Sequence, residues 1–168
     1  MAKQSLRRPR KGRPIAEILV GMIASGKSTY AAKRAVMGAI VINDDAIVNA
    51  VHHNNYTSYD KRLKPLYKAV ENTILQMAIT LGMDVVIDRP NYSKAMRRRY
   101  IGIAKSFDAE VHLVVFPKVS PGEHARRRAN ADNRGCEFEH WLKAAKHHDR
   151  LYEPPDELEG ADALVSMS

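Results

Sequence analysis

The chain has a single cysteine, Cys136, in 168 residues. That excludes an intrachain disulfide and a cysteine-based zinc site, and it fits a reducing compartment, taken here as the cytoplasm. No apolar run approaches the roughly twenty residues of a membrane span, so no membrane partner is expected. The opening MAKQSLRRPRKGRP is basic but is not followed by an apolar stretch of signal-peptide type. Internal repeats are absent, and so is low-complexity sequence beyond that opening.

What is present is positive charge. Twenty-seven Lys and Arg oppose 19 Asp and Glu, a formal net charge of +8. Such an excess favours an anionic partner: nucleic acid, a nucleotide or an acidic surface. The plainer alternative is solubility with a basic tail. Residues 1–14 are expected to form a mobile basic arm, which either touches phosphates or only solubilises the chain. Residues 15–168 have the length of a single domain with its own core.

Short apolar runs alternate with longer periodic ones, the pattern of an α/β fold with a parallel sheet. Five strands are expected, over residues 16–20, 39–42, 84–88, 111–116 and 163–167. A helix is expected from Lys27 to Met37, with Gly38 as its C-terminal cap. A long helical region over residues 58–81 is expected to be kinked or divided at Pro65. Ser93 caps the next helix, which should turn Met96, Tyr100, Ile103 and Ala104 inward and Arg97, Arg98 and Lys105 outward. Ser120 to Glu123 has the form of a capping box. It opens an arginine-rich helix ending before Gly135, and another helix runs from Phe138 to Leu151.

The most informative stretch is EILVGMIASGKSTYAAKRAVMG, residues 17–38. Gly21, Gly26, Lys27 and Ser28 match the phosphate-loop spacing G-x-x-x-x-G-K-[ST] between a strand and a helix. Such a loop turns its N–H groups around an anion, and the helix adds the positive end of its dipole. Lys27 can reach the β- and γ-phosphates, and the Ser28 hydroxyl can bind Mg²⁺. A side chain at Gly26 is expected to crowd the phosphate path. Ala24, Ser25 and Thr29 complete the expected nucleotide-contacting set, with Ala24 standing where many kinase loops have glycine. The loop implies a purine triphosphate and magnesium, and leaves the phosphate acceptor open.

Acidic residues at two strand ends address the acceptor. In VINDDAI, Asp44 or Asp45 can take a proton from an attacking hydroxyl or help hold magnesium; the competing use of NDD is to cap a helix starting at Ala46. Asp88 ends the third strand before Arg89-Pro90-Asn91, where an acidic residue can bind magnesium through water or orient the acceptor; the competing use is a strand-end turn. HARRRANADNRG carries Arg126, Arg127, Arg128 and Arg134, and it is expected to form a lid over about residues 120–136. Arg134, beside Gly135, and Arg128 are the residues assigned to the donor phosphates. The triplet Arg126–Arg128 cannot face one way on a helix, so at least one is a solvated charge. MRRRY, residues 96–100, could join Lys94 and the arm in a phosphodiester track or could be a charged outer face. The adjacent pairs His52–His53 and His147–His148 lack metal spacing, and Trp141 and Phe138 are read as core or adenine-side packing.

GMIASGKST, VINDDAI, VVIDRPN and RRRANADNRG occur in the order found in the phage-type polynucleotide 5′-kinases, and the tail YEPPDELEGADALV resembles the ending of that group. The resemblance runs over residues 18–165 in separate short blocks. It implies a P-loop kinase fold, with a central parallel sheet flanked by helices and an arginine-rich helical lid. It also implies transfer of the ATP γ-phosphate to a 5′-hydroxyl of DNA or RNA in nucleic-acid repair, in a host cytoplasm if phage-encoded. Asp44 would be the general base, Lys27 and Ser28 would hold phosphate and Mg²⁺, and Arg134 would be the lid arginine. Asp88 would lie on the acceptor side, with Arg89 and Asn91 beside it. Two departures fall on the acceptor side. The family's arginine three residues after the base is Ile47 here, for which Arg89 could substitute, and its threonine–asparagine after the third-strand aspartate is Arg89-Pro90-Asn91. A kinase of a hydroxymethylated base in DNA, a small-molecule kinase acting on a nucleoside, sugar or antibiotic, and a non-catalytic nucleic-acid-binding relic are the alternatives. No phosphatase half accompanies the kinase half, so 3′-end healing is not expected.

Overall fold

Strand β1, Ile15–Val20, sits in the middle of the sheet because its sequence IAEILV buries both faces. Ala16 and Ile18 pack into one apolar cluster and Leu19 into the other, following the period of two. The remaining strands are β2, Ile40–Ile42; β3, Val85–Ile87; β4, Glu110–Val115; and β5, Ala163–Ser166. All pairings are parallel, in the order β2-β3-β1-β4-β5. Ile18 pairs with Ile87 on one side and Leu113 on the other, so the strands end together at one edge. The order reverses beside β1, which opens a crevice at the carboxyl ends of β1 and β3. The computed structural model describes residues 12–131 and 135–168.

Helices cover both faces. α2, Asp44–Val51, α3, Lys64–Thr80, and α4, Lys94–Ser106, pack on the face carrying Ile18, Ile42, Ile87 and Leu113. α1, Lys27–Val36, covers the face of Leu19, Val86 and Val114. α5, Pro121–Ala131, and α6, Phe138–Arg150, pair through Ala125, Trp141 and Ala145 and lean on Ile23 of the phosphate loop. Each fully buried Ile or Leu stabilises by about 1.5–3 kcal/mol. One buried polar strand residue, Glu17, faces α1 and is satisfied by the Tyr30 hydroxyl at 2.9 Å and Arg34 at 2.7 Å.

Several local expectations change. Pro65 neither kinks nor divides a helix: it stands in the first turn of α3, where the missing N–H has no intrahelical partner to lose. The preceding stretch forms two 3₁₀ turns, Tyr56–Ser58 and Lys61–Leu63. Arg97 points inward and is fully buried, because Glu159 meets it with two hydrogen bonds of 2.7 Å. The basic cluster of α4 is thereby dispersed: Lys94 pairs with Asp156 and Arg99 with Glu71, while Arg98 is exposed. At Ser120 the serine half of the box forms, with the Glu123 N–H donating to its hydroxyl at 3.2 Å. The Glu123 carboxylate goes to Arg126 and Arg127 instead. A complete capping box occurs at Asp156 and Glu159.

Residues 1–11 of the expected arm lie outside the described residues. Arg13 and Pro14, assigned to that arm, are docked: Arg13 binds Asp108 at 2.9 Å and the Pro14 carbonyl accepts the Glu110 N–H. Among the described residues no helix is long and apolar enough to cross a membrane.

Candidate active site

The phosphate loop leaves the buried end of β1 and enters α1 at Lys27. Its two glycines serve different ends. A Cβ at Gly21 would lie 2.7 Å from the Ser25 hydroxyl and 3.0 Å from Phe116 Cβ, so the chain closes only on glycine. Gly26 has open space, with the Phe116 ring no nearer than 3.8 Å, but its φ of 101° is left-handed. The expectation of crowding at Gly26 is therefore corrected: crowding acts at Gly21, backbone conformation at Gly26. Ala24 also adopts a positive φ, 51°, which alanine tolerates at some cost. The Gly21 N–H donates to the Pro90 carbonyl at 3.0 Å, tying the loop to the end of β3.

Lys27 is buried and folded back over this loop. Its ammonium donates to the carbonyls of Met22 at 2.5 Å and Gly21 at 3.0 Å and to the Ser25 hydroxyl at 3.3 Å. Burial pushes its pKa down to about 8, against the opposing pull of Asp88. A phosphate entering the loop would supply the charge this amine lacks.

Across the crevice stand the ends of β2 and β3. Asn43, not an aspartate, caps α2: its side-chain oxygen accepts the Ala46 N–H at 3.1 Å. Its amide nitrogen donates to the Asp88 carbonyl and carboxylate, both at 3.2 Å. The helix consequently begins at Asp44, and Asp44 and Asp45 occupy its first turn without serving as the cap. Asp44 is half-exposed and lies 2.5 Å from the Arg89 guanidinium. Burial raises its pKa to about 6; Arg89 lowers it, while Glu71 and Asp45 push it further up. That value suits a base working near neutral pH.

Arg89 also donates to Glu71 at 2.8 Å and to the Tyr100 hydroxyl at 2.7 Å, and Arg99 meets Glu71 at 2.9 Å. The guanidinium is thus fixed beside Asp44 by a buried network. Ile47, by contrast, is in the core. The structure therefore puts an arginine next to Asp44 from the turn after β3 instead of from α2.

One open cavity of about 1000 Å³ joins these parts. Ala24, Ser25, Gly26, Lys27, Ser28 and Thr29 line one side; Asp44, Asp45, Asp88 and Arg89 line the other. α5 and α6 add Arg127, Arg128, Trp141 and His148. Arg128 stacks over the Trp141 ring at 4.7 Å, so Trp141 serves both the helix pair and the cavity wall. Arg126 pairs with Glu123 away from the cavity, the solvated member of the triplet. His148, half-buried against Tyr92 at 4.9 Å, has its pKa lowered to about 4, chiefly by desolvation. Arg134 lies outside the described residues.

Two expected contact residues sit elsewhere. Gly21 lies under the loop, and Asn91 is fully buried, donating to the Leu19 carbonyl at 2.8 Å. Asn91 therefore ties β1 to the β3 turn at a left-handed φ of 44° and does not face the cavity. Sequence reasoning missed Asn43 and Tyr56, which line the cavity. The sequence offers Asn43 only as part of an NDD cap, a role it fills; its second contact, with Asp88, depends on β2 and β3 lying side by side.

Among the described residues no group of three or more His, Cys, Asp or Glu could hold a metal ion. Magnesium makes a lighter demand: it keeps several waters and takes one or two protein oxygens beside substrate phosphates. The exposed Ser28 hydroxyl and the Asp88 carboxylate, both lining the cavity, fit that requirement.

A sequence profile described as an AAA domain matches residues 17–154. A search of curated proteins gives no match. Among solved structures, a chain of the Pnkp1/Rnl/Hen1 RNA repair complex superposes with a TM-score of 0.65 at 16% identity, covering 91% of this chain and 49% of that one. A fungal RNA kinase gives 0.63 at 15%, covering 92% and 38%. The Mycobacterium tuberculosis APS kinase CysC, in complex with AMPPNP and APS, gives 0.63 at 14%, covering 92% and 88%. This chain thus spans about half or less of the first two, and identities this low establish the shared P-loop kinase fold alone.

Proposed function

This chain belongs to the AAA-domain family, and on that premise we propose that it is an ATP-dependent kinase transferring the γ-phosphate to a nucleic-acid hydroxyl, in the first place the 5′-hydroxyl end of DNA or RNA. The observation that carries the proposal is that Lys27 of the phosphate loop and Asp44 of the opposite wall face one cavity. The order of the four motif blocks supports the finer assignment to the phage-type polynucleotide 5′-kinases. So does likeness of fold to an RNA kinase and to a chain of an RNA repair complex.

In the proposed reaction the loop N–H groups and Lys27 hold the β- and γ-phosphates. Asp44 accepts the proton of the attacking hydroxyl, whose oxygen bonds to the γ-phosphorus as the bond to the β–γ bridging oxygen breaks. ADP leaves, and the proton stays on the Asp44 carboxyl until it passes to solvent. Arg89 holds that carboxylate in place, and Arg128 adds positive charge from α5. Arg134 is assigned to the transferred phosphate by the resemblance alone. Ser28 and Asp88 would hold Mg²⁺ when it binds with the nucleotide, and the ion would supply charge neutralisation at the phosphates.

A small-molecule acceptor is the second proposal. The internal pairing of Lys94, Arg97 and Arg99 favours it, since those charges are withdrawn from a polymer track. One experiment separates the two: γ-labelled ATP with a panel of hydroxyl acceptors, products resolved by mass. Label on 5′-hydroxyl oligonucleotides, with a KM that climbs steeply with salt, supports the first. Label only on small acceptors, with little salt dependence, replaces it with the second.

A further inference from the structure

Beside the main cavity lies a second, of about 290 Å³, at the small end of ligand-sized pockets. Asp44, Asp45, Arg89 and Tyr56 line both, so the two are contiguous at the proposed base. Its outer wall is a stepped stack of three tyrosines. Tyr56 and Tyr59 lie 6.3 Å apart with planes 12° from parallel, and Tyr59 and Tyr67 lie 5.7 Å apart at 22°. The innermost ring is anchored: the Tyr67 hydroxyl shares a 2.7 Å hydrogen bond with His52 and accepts the Asp60 N–H. Tyr67 is buried, while Tyr56 and Tyr59 are 37% and 38% exposed.

An exposed aromatic ring held in place by rings behind it offers a firm face for a planar group, and any nucleobase presents a π-face to stack on it. Charge on the adjoining helix supports a nucleotide. Lys64, Lys68 and Glu71 follow at intervals of four and three along α3, hence on one face, and all line this cavity. Glu71 is the inner end, bound to Arg89 beside Asp44. Lys68 and Lys64 are exposed and stand successively farther out, with about 6 Å of axial rise between them.

We propose that this tyrosine-lined cavity is the acceptor subsite: it stacks the base of the 5′-terminal nucleoside on Tyr56, the outer ring of the stack, which Tyr59 and Tyr67 back, and leads the phosphodiesters 3′ of it along Lys68 and Lys64. The inference rests on the nucleic-acid kinase assignment above and adds which part of the strand is gripped. It gives the chain a sequence-tolerant acceptor site, since stacking does not read base edges.

The test is steady-state transfer to a 5′-hydroxyl oligonucleotide and to the same strand with an abasic 5′ terminus. Binding is followed in parallel by the fluorescence of a 5′-terminal 2-aminopurine. Wild type should show a KM about tenfold higher for the abasic strand, and the 2-aminopurine should be quenched on binding. Tyr59→Ala and Tyr56→Ala should raise the KM for the intact strand by a similar factor and lose the quench, and Tyr59→Ala, which lies outside the nucleotide cavity, should leave the KM for ATP unchanged. Tyr59→Phe should restore both. The double variant Lys64→Ala/Lys68→Ala should raise the oligonucleotide KM and flatten its salt dependence. Equal use of intact and abasic strands by wild type, with no quench, overturns the subsite while leaving the kinase assignment standing. Absence of transfer to every oligonucleotide overturns both.

Discussion

Arg89 Nη2 lies 2.5 Å from Asp44 Oδ2 while Nη1 of the same guanidinium binds the buried Glu71 at 2.8 Å. One side chain therefore couples the cleft carboxylate to a charge in the interior. It also opposes the effect of burial on Asp44, whose pKa stands at about 6. Because only the carboxylate accepts a proton, kcat/KM should fall as pH drops through about 6. In Arg89→Met the carboxyl loses its stabilising neighbour, so the acid limb should move to higher pH. A pH–rate profile of both proteins checks this; a limb unmoved by the substitution would separate Asp44 from the rate.

Lys27 titrates near 8 in the ligand-free protein, well below the ordinary 10.5. Triphosphate favours the ammonium form, so nucleotide binding above about pH 8 should take up a proton. Calorimetry in two buffers of different ionisation enthalpy measures that uptake. Lys27→Met should abolish it and weaken nucleotide binding at least about tenfold. For the ligand-free fold the unfolded chain holds the extra proton between about pH 8 and 10.5, so this group's contribution makes stability rise with pH there.

Arg97 and Glu159 are both essentially buried and doubly hydrogen-bonded. Removing one partner strands the other charge. Arg97→Ala should lose about 3–5 kcal/mol of stability, whereas Arg98→Ala on the exposed side should stay within about 0.5 kcal/mol. Urea unfolding of the two variants makes the comparison. Equal small losses would return Arg97 to the surface.

Gly21 has no room for a methyl group, since its Cβ would meet the Ser25 hydroxyl at 2.7 Å and Phe116 at 3.0 Å. Gly21→Ala should displace the loop and cut nucleotide affinity by more than tenfold, with a melting temperature that falls by several degrees. Nucleotide titration and thermal unfolding of the variant give the two readings.

The donor side was legible because its determinants are contiguous: a buried strand, the glycine spacing and Lys27-Ser28 fall within residues 15–28. The strands were legible for the same reason, each being a short contiguous apolar run that can be read before its partners are known. What escaped depends on partners remote in sequence. Arg97 looks like an outer-face arginine until Glu159, 62 residues on, comes to meet it. Asn91 looks like an acceptor contact until the Leu19 carbonyl claims its amide. The neighbour of Asp44 could be named only as a substitute for the residue at position 47, because its position depends on β2 and β3 pairing side by side. Tyr56, Tyr59 and Tyr67 belong to no single helix; their rings meet because the chain from the 3₁₀ turn at Tyr56–Ser58 doubles back onto the first turn of α3.

The central claim, that Asp44 takes a proton from an acceptor hydroxyl held opposite the phosphate loop, is tested most directly by single-turnover transfer from γ-labelled ATP to a 5′-hydroxyl oligonucleotide. Wild type should transfer the label. Asp44→Asn should bind nucleotide with unchanged affinity and transfer at least about a hundredfold more slowly, the scale of a lost general base. Transfer by Asp44→Asn at the wild-type rate would contradict the account.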